Sequence, residues 1–159
     1  MPKKDLKYFM REHKEEIITV AGPASIKDED GNVINLEVKV LDQQTITKIN
    51  DNYRKRSIAT DRKGNPIIYN GEVVWKTEKD TARATRHILA EALVFPNLKD
   101  ESLMEFYNCH DITEMPLKVF PTAEEYDHVI RVVFAALGIG SFEAEAEEQG
   151  ESEVEDAKN

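Results

Sequence analysis

The sequence predicts an α+β fold in a single domain over residues 1–140, followed by a disordered acidic tail over 141–159. Three observations carry that prediction. Turn-forming clusters and period-two alternation of apolar and polar residues mark the first half, as antiparallel β-hairpins require. In the second half, apolar residues recur every three and four positions behind side chains suited to helix capping, which predicts a cluster of three helices. Beyond Phe142 the chain is almost free of aromatic and β-branched residues, too poor in apolar surface to offset the entropy of ordering.

Leu6, Phe9, Met10 and His13 fall at helical spacing, predicting a short amphipathic helix within 5–16. Ile17-Ile18-Thr19-Val20 is a β-branched run that Ala21-Gly22-Pro23 ends. After the turn-forming Asp28-Glu29-Asp30-Gly31-Asn32, Leu36, Val38 and Val40 alternate with Glu37 and Lys39, so their side chains share one face of a strand. The two runs read as an N-terminal β-hairpin. Asp42 is placed to cap a helix reaching about Arg56, with Ile46, Ile49 and Tyr53 on its apolar side and Arg54-Lys55-Arg56 at its end. A second hairpin follows: Ile67-Ile68-Tyr69, the Asn70-Gly71 turn, and a return strand Glu72-Val73-Val74-Trp75-Lys76.

Asp80 opens a helix to about Val94 that buries Ala84, Ile88, Leu89 and Ala92 and is stopped by Phe95-Pro96. Asp100 caps a shorter helix containing Leu103, Met104, Phe106 and Tyr107. Behind Met115–Pro121, Thr122 opens the most regular helix, with Glu125 at the capping-box position. Tyr126, Val129, Ile130, Val133, Phe134 and Leu137 line one side of it, and Gly138 and Gly140 end it. Val132, Ala135 and Ala136 widen the apolar arc beyond the roughly 100° that one packing face needs. Tyr126, Val129, Val132, Val133 and Ala136 are therefore the candidate partner-binding residues, set against the plainer reading of a central helix covered on several sides.

Composition narrows the function. The hydrophobic fraction of 40% and mean hydropathy of −0.54 come with no apolar run near the roughly 18 residues of a membrane span. No apolar stretch follows Met1-Pro2-Lys3-Lys4, so no signal peptide is expected. The single cysteine, Cys109, has no intramolecular disulfide partner, which suits a reducing cytosol. A net charge of −10 argues against general nucleic-acid binding. Eight acids and one base within 141–159 place −7 in the tail and leave −3 on the other 140 residues.

Chemistry-bearing groups are sparse. Cys109-His110-Asp111 sits behind apolar Phe106-Tyr107, without a recognisable base partner or spaced metal ligands, so Cys109 reads as a structural cysteine and no catalytic residue, metal or cofactor is assigned. Asp28–Asn32 lacks the ligand spacing of a calcium loop and reads as a turn. Arg54, Lys55, Arg56, Arg62 and Lys63 form the one concentration of cations, read as a solvated helix end with an RNA or DNA contact as the rival. The acidic tail suits either a solubilising or a partner-binding segment.

Three stretches carry a family resemblance: Phe9-Met10-Arg11-Glu12; 80–93, beginning Asp80-Thr81-Ala82-Arg83; and Leu103-Met104-Glu105-Phe106-Tyr107 with Asp111-Ile112-Thr113-Glu114-Met115-Pro116-Leu117-Lys118-Val119-Phe120. Together they resemble the XkdN-like phage tail assembly chaperones of contractile-tail phages and prophages of Gram-positive bacteria, over about 5–140. The resemblance implies a non-enzymatic protein of the host bacterial cytoplasm, absent from the mature virion. It implies binding to the tape measure protein, which the chaperone keeps soluble, and promotion of tail tube assembly with the tail tube protein. Self-association is expected, with no membrane association. The rival readings are a small phage nucleic-acid-binding protein or enzyme, and a minor virion structural protein.

Overall fold

The computed structural model describes residues 4–139; Gly140 and the expected acidic tail lie outside the described residues. The α+β class is found, with antiparallel pairing throughout. The expected N-terminal helix is replaced by one 3-10 turn, Leu6–Phe9, and the chain then runs without regular structure to Glu16. Asp5 accepts from the Lys7 N–H, but every residue of the turn is exposed. A single turn with no surface to pack on has nothing to offset the cost of helix nucleation.

Strand β1 (Ile17–Ala21) pairs with β2 (Asn35–Lys39), Ile17 opposite Lys39 and Val20 opposite Leu36, as the alternation predicts. Asp28 shapes the far turn by accepting from the N–H groups of Asp30 and Asn32. Leu36 and Val38 are buried and face the helices. Gly22 follows β1 at a point of close approach. A Cβ there would lie 2.1 Å from the carbonyl oxygen of Ile34, so the crossing requires glycine.

Helix α1 (Gln43–Asn52) is capped by Asp42, whose carboxylate accepts from the Thr45 N–H, and it buries Ile46 and Ile49. It does not reach Arg56. The chain leaves it at Tyr53 and enters β3 (Arg54–Ile58), so the basic run is a strand and not a helix end. Next come β4 (Ile68–Tyr69) and β5 (Glu72–Val73), joined by Asn70-Gly71 at positive φ, the second expected hairpin in shortened form. The predicted return strand breaks at Val74, and β6 (Trp75–Lys79) pairs instead with β3. A backbone hydrogen bond from Asp80 to Tyr53 of 2.8 Å closes the base of this excursion.

Helix α2 (Thr81–Ala92) starts on Asp80 and buries the four predicted residues together with Thr85 and Ala90. It stops at Ala92, short of Val94, because Leu93–Phe95 forms β7 and completes the sheet in the order β1-β2-β7. Helix α3 (Glu101–Phe106) is capped by Asp100 as expected. Helix α4 (Met115–Val119) is an addition to the expected three-helix cluster; it begins with buried Met115 and Pro116. Helix α5 (Ala123–Ala136) is capped by Thr122 through the Glu125 N–H. The Glu125 carboxylate accepts from Ser25 Oγ at 2.7 Å, and His128 Nε2 donates to the Ala21 carbonyl at 2.9 Å, so polar contacts tie α5 to the β1 exit.

The core lies between the three-stranded sheet and the helices. One buried cluster joins Leu36 and Val38 of β2, Ile46 and Ile49 of α1, Ile88 and Leu89 of α2, and Val129, Val133 and Phe134 of α5 with Leu98, Met115 and Phe120. Each such large apolar side chain contributes roughly 1.5–3 kcal/mol on full burial.

Candidate partner-binding surface

The residues singled out on α5 divide by depth. Val129 and Val133 are 0% exposed and belong to the core, whereas Tyr126, Val132 and Ala136 are half-buried on its border. The wide apolar arc packs on the sheet and α2, and its half-buried edge lies against the border of the core.

The larger uncovered surface lies between Tyr53 and Asp80. There β3 and β6 form a two-stranded ribbon that carries two small turns at its tip. Asp61 caps the first turn by accepting from the N–H groups of Lys63 and Asn65. Ile67 donates to Ala59 and Val74 donates to Ile67 through the backbone, which fixes the second turn on the first. The ribbon stands clear of the core as a β-arm: among its 26 residues, 54–79, only Ser57, Ala59 and Val74 are even half-buried. Ile68 and Tyr69 at the tip are 65% and 71% exposed, and Trp75 is 50% exposed. Ile58, Ile67 and Val73 are exposed beside them. Apolar side chains gathered on a projecting, hydrogen-bonded frame form a surface suited to covering an apolar stripe of another protein.

The arm is two-sided. Directly opposed residues share a face, so Arg54, Lys79, Arg56, Thr77, Ile58 and Trp75 lie on one side, and Lys55, Glu78, Ser57 and Lys76 on the other. On the second side Lys76 pairs with Glu78 at 2.7 Å, which holds the Glu78 carboxyl below its ordinary range and leaves Lys55, among the described residues, as the one uncompensated cation of that side. On the first side the Arg56 guanidinium stacks 4.8 Å from the Trp75 ring centre. Sequence reasoning missed this surface because Tyr53 continues the helical period of Ile46 and Ile49. The available signal was the alternation Arg54-x-Arg56-x-Ile58 mirrored by Trp75-x-Thr77-x-Lys79.

A second uncovered patch is the N-terminal turn, where Leu6, Tyr8, Phe9 and Met10 are exposed. Glu16 and Val40 are joined by a backbone hydrogen bond, and His13 Nε2 donates to the Val40 carbonyl at 3.2 Å, holding the segment along the sheet.

The Cys109-His110-Asp111 sequence is spatially divided. Cys109 is buried and its thiol donates to the Asp111 carbonyl at 3.3 Å. The Asp111 carboxylate accepts from the hydroxyl and N–H of Thr113 and from Arg83, and these contacts hold its pKa below the ordinary value. Arg86 Nε donates to the Thr113 carbonyl at 2.7 Å, so two arginines of α2 fasten the 111–114 loop. On the same helix the Tyr53 hydroxyl lies 2.6 Å from His87 Nδ1, and Glu91 pairs with Lys99 at 3.1 Å. Burial alone would raise the Glu91 carboxyl, but Lys99 and His87 outweigh it and the net shift is downward. These contacts fasten α2 to its neighbours. Among the described residues no group of three His, Cys, Asp or Glu side chains is disposed to hold a metal ion, and no helix is long and apolar enough to cross a membrane.

Comparison with known proteins adds two findings. The family model of the phage XkdN-like tail assembly chaperone protein matches residues 6–158, a span that continues past 140 through the acidic segment. The crystal structure of the protein yqbn, a target of the northeast structural genomics consortium, is similar with a TM-score of 0.60 at 22% sequence identity; the match covers 86% of this chain and 98% of that one. At that identity the likeness is one of fold. No curated protein matches the chain.

Proposed function

The chain belongs to the phage XkdN-like tail assembly chaperone family, and on that premise we propose that it binds the tape measure protein, keeps it soluble and promotes tail tube assembly around it. The observation that carries this reading is the tip of the β-arm, which presents Ile68, Tyr69 and Val73 to solvent while the core behind it is closed. A tape measure protein is long and helical, and its apolar stripe needs cover until tube subunits enclose it. An arm bearing apolar tips among charged residues provides that cover and leaves a soluble surface outward. The function is binding, exercised in the host cytoplasm, and the protein leaves before the virion is mature. The tail tube protein is the second partner, and the chaperone self-associates.

Co-expression with the tape measure protein is the direct test. Soluble tape measure protein that copurifies with this chain, and precipitates without it, is the expected result. Tape measure protein equally soluble alone contradicts the proposal. Mass spectrometry of mature particles separates it from a virion structural protein: the chaperone reading expects no peptides from this chain.

A further inference from the structure

We propose that the cationic face of the β-arm is a docking surface for an acidic peptide, and that its occupant is the chain's own segment 141–159. The face carries Arg54, Arg56 and Lys79 beside Trp75, Ile58 and Thr77. Arg54 is shared with Asp51 at 3.0 Å, but among the described residues no carboxylate lies within ion-pair distance of Arg56 or Lys79. Its opposite side has Glu78 among its lysines; this side has no acid in any opposed pair. Such a surface attracts an anionic segment, and its indole and isoleucine cover the apolar parts of a peptide backbone.

The segment 141–159 has the matching chemistry. It carries −7, and Glu143-Ala144-Glu145-Ala146-Glu147 repeats a carboxylate every second residue, the period at which Arg54 and Arg56 recur along β3. Along β3 that period spaces Arg54 and Arg56 by about 7 Å, the separation an acidic peptide on this face has to match. Extended, the 20 residues after Ile139 span at most about 70 Å, well beyond the roughly 14 Å radius of gyration of a domain this size. Tethering supplies a local concentration of about a millimolar. Single-stranded nucleic acid is the competing ligand chemistry, since a base could stack on Trp75. It would have to displace a tethered polyanion from a protein of net charge −10.

Trp75 is the single tryptophan, so its fluorescence reports on this face in the full-length chain without labelling. The experiment compares acrylamide quenching of the natural chain with that of a full-length variant whose eight tail acids are replaced by their amides. The proposal requires an affinity tighter than the tethered concentration of about a millimolar, and the natural chain should then quench about two-fold less than the amide variant. The difference should vanish near 1 M salt, where charges are screened beyond about 3 Å. A full-length Arg56→Glu, Lys79→Glu variant should quench like the amide variant. Equal quenching of natural and amide chains at about 0.1 M salt overturns the proposal. So does protection that grows with protein concentration, which places a second copy on the face, or protection that requires an added single-stranded oligonucleotide. No tape measure protein is present, so this outcome stands apart from the test of the proposed function.

Discussion

Gly22 and Asp111 show how single residues hold the frame on which the arm is mounted. At Gly22 a methyl group would be driven to 2.1 Å from the Ile34 carbonyl oxygen, far inside contact distance, so Gly22→Ala must displace the backbone where β1 leaves the sheet. Overpacking of this kind costs about 1–3 kcal/mol, read as a lower urea midpoint at unchanged slope. Asp111 acts through charge. Its folded pKa is held below the ordinary 3.8, first by the Thr113 hydroxyl and N–H and then by Arg83. A depressed carboxylate contributes stability above its unfolded pKa and loses it as the pH falls through the folded value. Stability should therefore fall as the pH drops below about 4, and Asp111→Asn should flatten that part of the profile. The Arg83–Asp111 pair is about two-fifths exposed on both sides, so its share at neutral pH is at most about 1 kcal/mol. In the sequence Cys109-His110-Asp111 gathers three chemistry-bearing residue types, with Cys109 read as structural. What the sequence could not disclose is that Asp111 turns away toward α2, because that depends on Arg83, 28 residues earlier.

Among the elements, those with local signals were legible. Asp42, Asp80, Asp100 and Thr122 each cap the helix expected of them, and Asn70-Gly71 turns the expected hairpin. Elements decided by distant pairing were not. Arg54-Lys55-Arg56 looks like a helix tail until Trp75–Lys79 is placed beside β3, and Leu93-Val94 continues a helical pattern until β2 offers an edge. The apolar stripe of α5 was visible in the sequence, but its two deepest valines are consumed by the core, and the arm was hidden for the same reason as its strands. The arm is predicted to open independently of the body. Gly71 sits at φ +79°, so Gly71→Ala strains the tip by roughly 1–2 kcal/mol. Hydrogen exchange at the Ile67 and Val74 amides should accelerate while the amides of buried Ile88 and Leu89 keep their protection. Equal acceleration in both places would show that arm and core unfold as one unit.

The whole molecule divides its tasks between a closed body and projecting surfaces. Sheet, helices and the arginine clasps on the 111–114 loop consume the strong apolar periodicities, and the weaker alternation of the arm is left facing solvent. That division suits the proposed binding of an elongated partner: a stable mount, and an apolar tip to engage and release it. The direct measurement is capture of the tape measure protein by three full-length chains, each first checked for its thermal midpoint: the natural chain, Ile68→Asp with Tyr69→Asp, and Val132→Asp. Both tip residues are exposed and outside the core, so the double variant should keep the natural midpoint and leave the tape measure protein in the pellet. Val132→Asp, on the half-buried border of α5, should lower the midpoint and impair capture only as far as it unfolds the chain. A tip variant that is fully folded and still solubilises the tape measure protein as well as the natural chain would contradict the account.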